Sequence, residues 1–153
     1  MGKVRASIEV PGLASEAEAL WYDTRRWPAF VDGLKAVHRI DGDWPRAGTR
    51  VVWDSHPGGR GRVLEEVVAY EPRAGQTLAF EDEKARGTQR VMFTPHDRGV
   101  TVGLELDYAL KESRPGTWLV DLLFIRRPQR ESLQRTLRRF ATELRDELSQ
   151  APV

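Results

Sequence analysis

Between Gly33 and Gly99, turn-forming residues recur about every ten positions: Gly42-Asp43, Pro45 to Gly48, Pro57-Gly58-Gly59, Pro72 to Gly75, Arg86-Gly87 and Pro95 to Gly99. Glycine and proline interrupt both regular structures, so no long helix fits across this stretch. The runs between them are short and rich in Val, Trp, Phe and Leu, which suits strands. They predict strands at about 35–42, 49–56, 60–71, 76–83, 87–94 and 100–110. Loops this short join antiparallel neighbours, so the strands should form a meander.

The last strand carries the clearest pattern. Val100, Val102, Leu104, Leu106, Tyr108 and Leu110 alternate with Thr101, Gly103, Glu105 and Asp107. A step of two puts the first set on a buried face and the second in water. Val91 and Phe93, Leu78 and Phe80, and Val51 and Trp53 repeat the step. These sets should share one concave inner face.

Helical signals flank the meander. Val4 to Val10 reads as a first strand, stopped by Pro11-Gly12. Ser15 is a candidate N-cap for a short helix at 15–23, and Pro28 suits the first position of a second one through Phe30 and Val31. The tail from Gly116 to Gln150 is predicted helical, with Leu133, Leu137, Phe140, Leu144 and Leu148 forming one stripe. Pro128 removes a backbone donor inside that run, so a kink or break is expected near Arg127. Helices around an antiparallel meander make the fold class α+β.

Composition narrows the function classes. The chain has 153 residues, which fits a single domain over 1–153, and no repeat or linker divides it. It has no cysteine, so thiolate catalysis and Cys-based zinc sites are excluded. The formal net charge is +1, from 24 basic and 23 acidic residues, which argues against a nucleic-acid partner. No run of about 18 apolar residues occurs, so no integral membrane segment is expected. The start MGKVRASIEV has no apolar signal region, and a cytoplasmic location is expected.

The predicted order is strand, two short helices, six-stranded meander and long C-terminal helix, which is the helix-grip arrangement. The chain resembles the START-like superfamily, also called SRPBCC or polyketide-cyclase-like. Tyr22 to Val31, containing Asp23 and Trp27-Pro28-Ala29-Phe30, resembles the family's "D…(W/Y)P.F" segment. Ala69-Tyr70-Glu71-Pro72-Arg73 resembles its "EP" strand end. Val91-Met92-Phe93-Thr94-Pro95 followed by Gly99-Val100-Thr101-Val102 resembles its "W.F.P…GT.V" hairpin, with Val91 in place of the usual tryptophan. The likeness runs over roughly residues 3–148. It implies a curved seven-stranded antiparallel sheet wrapped around the C-terminal helix. It does not select a function, because the superfamily hosts carriers, cyclases, hydroxylase domains, chaperone activators and hormone receptors.

Candidate site residues follow from pattern. Trp118 to Ile125 is apolar on nearly all sides, more than a single stripe against one sheet requires. One side would line a ligand cavity, with Trp118, Leu119, Leu122 and Leu123 as wall residues, and the other would meet a lid, a membrane or a second subunit, giving a possible homodimer; the alternative is a helix buried in core. Trp53, Phe80, Phe93, Leu106 and Tyr108 are candidate walls on the sheet side, or core packing. A cavity of ~300–1,000 Å³ would suit a small-molecule ligand. The loops at 55–61 and 84–88 and the helices at 15–31 would frame its entrance.

Polar candidates are fewer. Tyr108, His38, Glu66 and Arg90 are possible acid–base groups for a catalytic reading. Glu65 and Glu66 are adjacent, so a regular strand turns one of them inward, with Arg62, Arg90 or Arg50 as partner; at a strand end both would stay in solvent. His56 and His96 sit in turns and are expected to be exposed, and the three histidines lack metal-ligand spacing. No metal and no cofactor is expected. Gly58-Gly59-Arg60-Gly61-Arg62 lacks the Lys-Ser/Thr of a phosphate loop and reads as a hairpin turn beside the cavity mouth. The arginines at 126, 127, 130, 135, 138 and 139 read as a solvated helix face paired at i,i+4 with nearby acids, or as a membrane-contact patch. The expected function is binding of a lipid, isoprenoid or polyketide-like molecule. The alternatives are a polyketide cyclase or dehydratase and a protein-interaction module.

Overall fold

The computed structural model describes residues 2–111, 116 and 125–150. The described elements run β1 (Gly2–Val10), α1 (Ala14–Trp21), a 3-10 turn (Thr24–Arg26), α2 (Trp27–Phe30), β2 (Leu34–Asp41), β3 (Arg50–Ser55), β4 (Arg62–Glu71), β5 (Gly75–Glu81), β6 (Ala85–His96), β7 (Gly99–Leu110) and α3 (Arg126–Gln150). All pairings are antiparallel, in the order β1-β7-β6-β5-β4-β3-β2. The meander is therefore present, and β1 closes its far edge beside β7. This is the helix-grip fold expected from the predicted order of strands and helices.

Two local expectations change. Helix α1 starts before Ser15: Leu13 occupies the cap, and the Glu16 carboxylate accepts its backbone N–H at 2.8 Å. The glutamate reaches back to the N–H of the cap residue itself, the glutamate half of a capping box, and the Leu13 side chain offers no acceptor for the first-turn N–H groups. Pro28 falls one place inside α2, after Trp27, because the preceding chain winds into the 3-10 turn capped by Asp23.

The inner face of the sheet packs on α3 as the alternation required. Val100, Val102 and Leu104 are fully buried, as are Leu137, Phe140 and Leu144 of the helix stripe. Phe140 meets Trp21 and Phe30 at centroid distances of 5.3 and 5.4 Å, which ties both short helices to α3. Such edge contacts add ~0.5–1.5 kcal/mol each beyond burial. Gly87 is required where β6 approaches β7, since a Cβ there would overlap the Asp107 carbonyl.

Charges fasten the same junction. Asp32, just after α2, accepts from Ser132 at 2.7 Å and from Arg135 at 3.0 and 3.1 Å, and Arg139 reaches it at 3.2 Å. Its own N–H donates to Thr136 at 2.9 Å. Arg26 spans to Glu143 and Glu147. Of the anticipated i,i+4 pairs, Arg127–Glu131 forms, while Arg135, Arg139, Glu143 and Glu147 use partners outside the helix. The expected break at Pro128 lies at the edge of the described residues, and the apolar 118–124 run lies outside them.

Candidate functional site

Strand parity places one carboxyl group inside the sheet. On β4, Val63, Glu65 and Val67 face inward and Arg62, Leu64 and Glu66 face out. Glu65 lies opposite Val51 of β3 and Phe80 of β5, so apolar neighbours flank it on both sides. Trp53, two residues along from Val51, is its diagonal neighbour, within reach of a long side chain. Its indole N–H donates to Glu65 Oε1 at 2.9 Å. Glu65 retains 7% exposure. Burial pushes its carboxyl above the ordinary range, opposed in part by the Arg60 charge and the Trp53 hydrogen bond.

Arg60 comes from the loop joining β3 to β4. Gly61 (φ +74°) turns the chain there, and its N–H donates to Ser55 Oγ at 2.7 Å. The guanidinium stacks over Trp53 at 5.3 Å and Phe80 at 5.1 Å from the ring centroids. Its Nε donates to Asp82 at 2.7 Å. Asp82 is buried in the β5–β6 turn, where it also accepts the N–H groups of Lys84 and Ala85. Desolvation pushes that carboxyl up, but the Arg60 bond and the two N–H groups outweigh it and hold it below the usual range. Arg60 and Asp82 therefore form a charge-assisted pair at the rim.

These groups border a cavity of about 50 Å³ inside the grip. Trp21, Trp27 and Val31 wall it from the short helices, and Leu78 and Val91 from the sheet. Gln76 and Gln89 add polar wall atoms. Trp27 is held by a 2.8 Å bond to the Trp21 carbonyl, and Gln76 by a 2.9 Å bond to the Pro45 carbonyl. The space is far smaller than the ~300–1,000 Å³ of a typical ligand pocket. Three indoles project into it and occupy the volume that smaller residues would leave. A wider hollow of about 610 Å³ lies on the outer face over Leu64, Ala79 and Arg86, but it is open to solvent, and the Arg50 and Glu66 side chains at its edge already pair with each other.

A sheet gripping one long helix around an inner cavity is shared by proteins of very different sequence. The model of the polyketide cyclase/dehydrase and lipid transport family matches residues 1–145. The chain belongs to that family. Solved structures agree on the fold. The Thermus thermophilus protein TTHA0849 is 20% identical with a TM-score of 0.75, covering 98% of this chain and 100% of that one. The di-domain ARO/CYC protein StfQ of the steffimycin biosynthetic pathway is 16% identical with a TM-score of 0.77; the match covers 96% of this chain and 51% of StfQ. Norcoclaurine synthase from Thalictrum is 12% identical with a TM-score of 0.70, covering 95% of each chain. No curated protein matches in sequence.

Within this family fold, the residues anticipated from sequence fall in four groups. Trp53 lines the cavity. Phe80, Phe93, Leu106 and Tyr108 are buried on the inner face, where Phe80 supports Arg60 and Tyr108 packs over Gly2. Trp118, Leu119, Leu122 and Leu123 lie outside the described residues. His38, Glu66 and Arg90 point away from the cavity: all three are exposed, Glu66 pairs outward with Arg50 at 3.7 Å, and Arg90 has the opposite parity to Gln89 and Val91. The inward carboxyl is Glu65, mid-strand rather than at a strand end.

Arg60, Gln76 and Gln89 line the cavity without having stood out in the sequence as site residues. Gln76 shares the parity of Leu78 and Phe80, and Gln89 that of Val91 and Phe93, which was the available signal. His56 is exposed, and His96 bonds to Glu9, whose other oxygen accepts from Thr101 at 2.6 Å. Among the described residues, no cluster of three or more His, Cys, Asp or Glu side chains could hold a metal. No helix among them is long and apolar enough to cross a membrane.

Proposed function

We propose that this chain binds an apolar or aromatic small molecule between the sheet and the helices, in the space bordered by Trp21, Trp27, Trp53 and Glu65. The observation that carries this reading is the cavity itself: indole and aliphatic walls around one buried carboxyl group. Aromatic walls bind by removing apolar area from water, worth about 25 cal/mol per Å². The small resting volume means that a ligand of more than a few heavy atoms displaces an indole or the Arg60 side chain as it enters. Arg60 is the natural moving part, because it comes from a loop and is about one third exposed (34%).

Native mass spectrometry of the purified protein, followed by solvent extraction, tests the proposal. A small apolar adduct released on denaturation is the expected result. Protein free of adduct that also takes up none of a panel of added aromatic and acyl compounds would contradict it.

A second reading is proton transfer of the cyclase or dehydratase kind, and the buried Glu65 is what favours it. A carboxyl group whose burial favours the acid form is suited to protonating a carbonyl or a leaving hydroxyl. In this reading Glu65 takes the role for which Glu66 was a candidate. Turnover of a polyketide-like substrate that survives in both Glu65→Gln and Glu65→Leu would exclude it.

A further inference from the structure

One oxygen of Glu65 is engaged and the other is not. Oε1 accepts the Trp53 indole N–H at 2.9 Å. The second oxygen has no hydrogen-bond partner among the described residues, although the side chain is buried and lines the cavity. Of the other polar lining groups two are engaged, while the Gln89 side chain has no hydrogen-bond partner among the described residues. The Arg60 charge is balanced by Asp82 at 2.7 Å, and the Gln76 amide N–H by the Pro45 carbonyl at 2.9 Å. Arg60 and Glu65 are the charged residue types among the described lining groups; Val51 and Phe80 on the adjoining strands, and Trp21, Trp27 and Val31 on the helices, bring no titratable group.

Charge balance then restricts the ligand. An anion would add an unmatched charge to a site whose cation is already paired, which costs heavily in an apolar enclosure. A hydrocarbon would leave the second Glu65 oxygen facing carbon, with its hydrogen-bonding capacity unused. A neutral acceptor satisfies both conditions. We infer that Glu65 is the specificity-determining residue of the proposed ligand site, donating a hydrogen bond from its cavity-facing oxygen to the carbonyl oxygen of a planar aromatic ligand. This rests on the ligand-binding reading above and names the ligand class within it. The burial that favours the acid form of Glu65 supplies the proton for that bond. Binding of such a ligand stabilises the acid further, so affinity should fall as pH rises through the Glu65 titration.

The test compares acetophenone with ethylbenzene, which has nearly the same shape and no carbonyl, with benzoate as the anionic arm. Dissociation constants are measured by NMR titration for the wild type, Glu65→Leu and Glu65→Gln. Water solvates the ketone equally against every variant, so the readout is the ratio of the two affinities. The preference for acetophenone relative to ethylbenzene should fall about tenfold in Glu65→Leu, the worth of one hydrogen bond in an enclosed site. Glu65→Gln keeps an N–H donor, so it should keep the preference and lose its pH dependence. An unchanged ratio in Glu65→Leu overturns carbonyl recognition while leaving apolar binding intact. Benzoate binding more tightly than acetophenone overturns it in favour of anion capture by Arg60. Absence of binding by any of the three to the wild type overturns the ligand-binding reading itself. If Glu65→Leu does not fold, Glu65→Gln decides: a pH dependence of acetophenone affinity that persists in that variant overturns the inference.

Discussion

Trp53 and Glu65 stand diagonally on neighbouring strands, and a 2.9 Å bond from the indole N–H holds the carboxyl group in an apolar enclosure. The bond orients Glu65 but does not offset its burial, which still favours the acid form. The folded state therefore keeps a proton that the unfolded chain, with an ordinary glutamate pKa near ~4.3, has released. The contribution of this group is most favourable below that pKa and is lost as pH rises through the folded-state value. Urea unfolding of wild type and Glu65→Gln from mildly acid to neutral pH should show their stability difference shifting steadily in favour of Gln as pH rises. A pH-independent difference would mean that Glu65 is solvated.

Arg60 and Asp82 supply the opposite case. Asp82 is held ionised by Arg60 and two backbone N–H groups, so its contribution is present above the unfolded carboxyl pKa and lost as pH falls through the lower folded value. Arg60→Ala removes the cation and its stacking on Trp53 and Phe80. Because Arg60 is partly exposed, the expected loss at neutral pH is about 1–2 kcal/mol rather than the larger cost of a fully buried pair. The loss should shrink in acid. Chemical denaturation of the variant at neutral and acid pH measures both numbers, and equal losses at both would count against the pair.

Asp32 is the point at which α2 is charged onto α3. Desolvation raises its carboxyl, but the bonds from Arg135 and Ser132 and the charge of Arg139 bring it below the ordinary range. Asp32→Ala should cost about 1–2 kcal/mol at neutral pH. It should also raise amide exchange in α2 and in the facing turn of α3 more than in β5 or β6. Uniform destabilisation with unchanged local exchange would show that the cluster does not dock the two helices.

The fold was readable because its signals are local and repeated. Val100 to Leu110 alternates over a whole strand, and turn residues bracket each run from Gly42 to Gly99. The site was harder because it depends on register across strands. Choosing Glu65 over Glu66 requires knowing that β4 pairs with β3 through Glu65 opposite Val51, which neither strand states alone. Arg60 stood in a glycine-rich turn, and no local pattern signalled that its side chain would fold back over Trp53 and Phe80. Phe93, Leu106 and Tyr108 satisfied the inner-face pattern and are buried there, but they do not border the small cavity, so parity alone does not pick out its lining.

The proposed ligand site places a small apolar molecule in the grip beside Trp21, Trp27 and Trp53. Each indole gives its own ¹⁵N–¹H resonance, and the backbone amides of Leu64 and Ala79, on the outer-face hollow, serve as a reference away from the cavity lining. Titration of ¹⁵N-labelled protein with a neutral aromatic ligand should shift the Trp21, Trp27 and Trp53 indole signals in a saturable way, with the Leu64 and Ala79 amides moving little. Indole signals that stay in place at saturating ligand, or shifts confined to residues around Leu64 and Ala79 on the outer face, would contradict the claim.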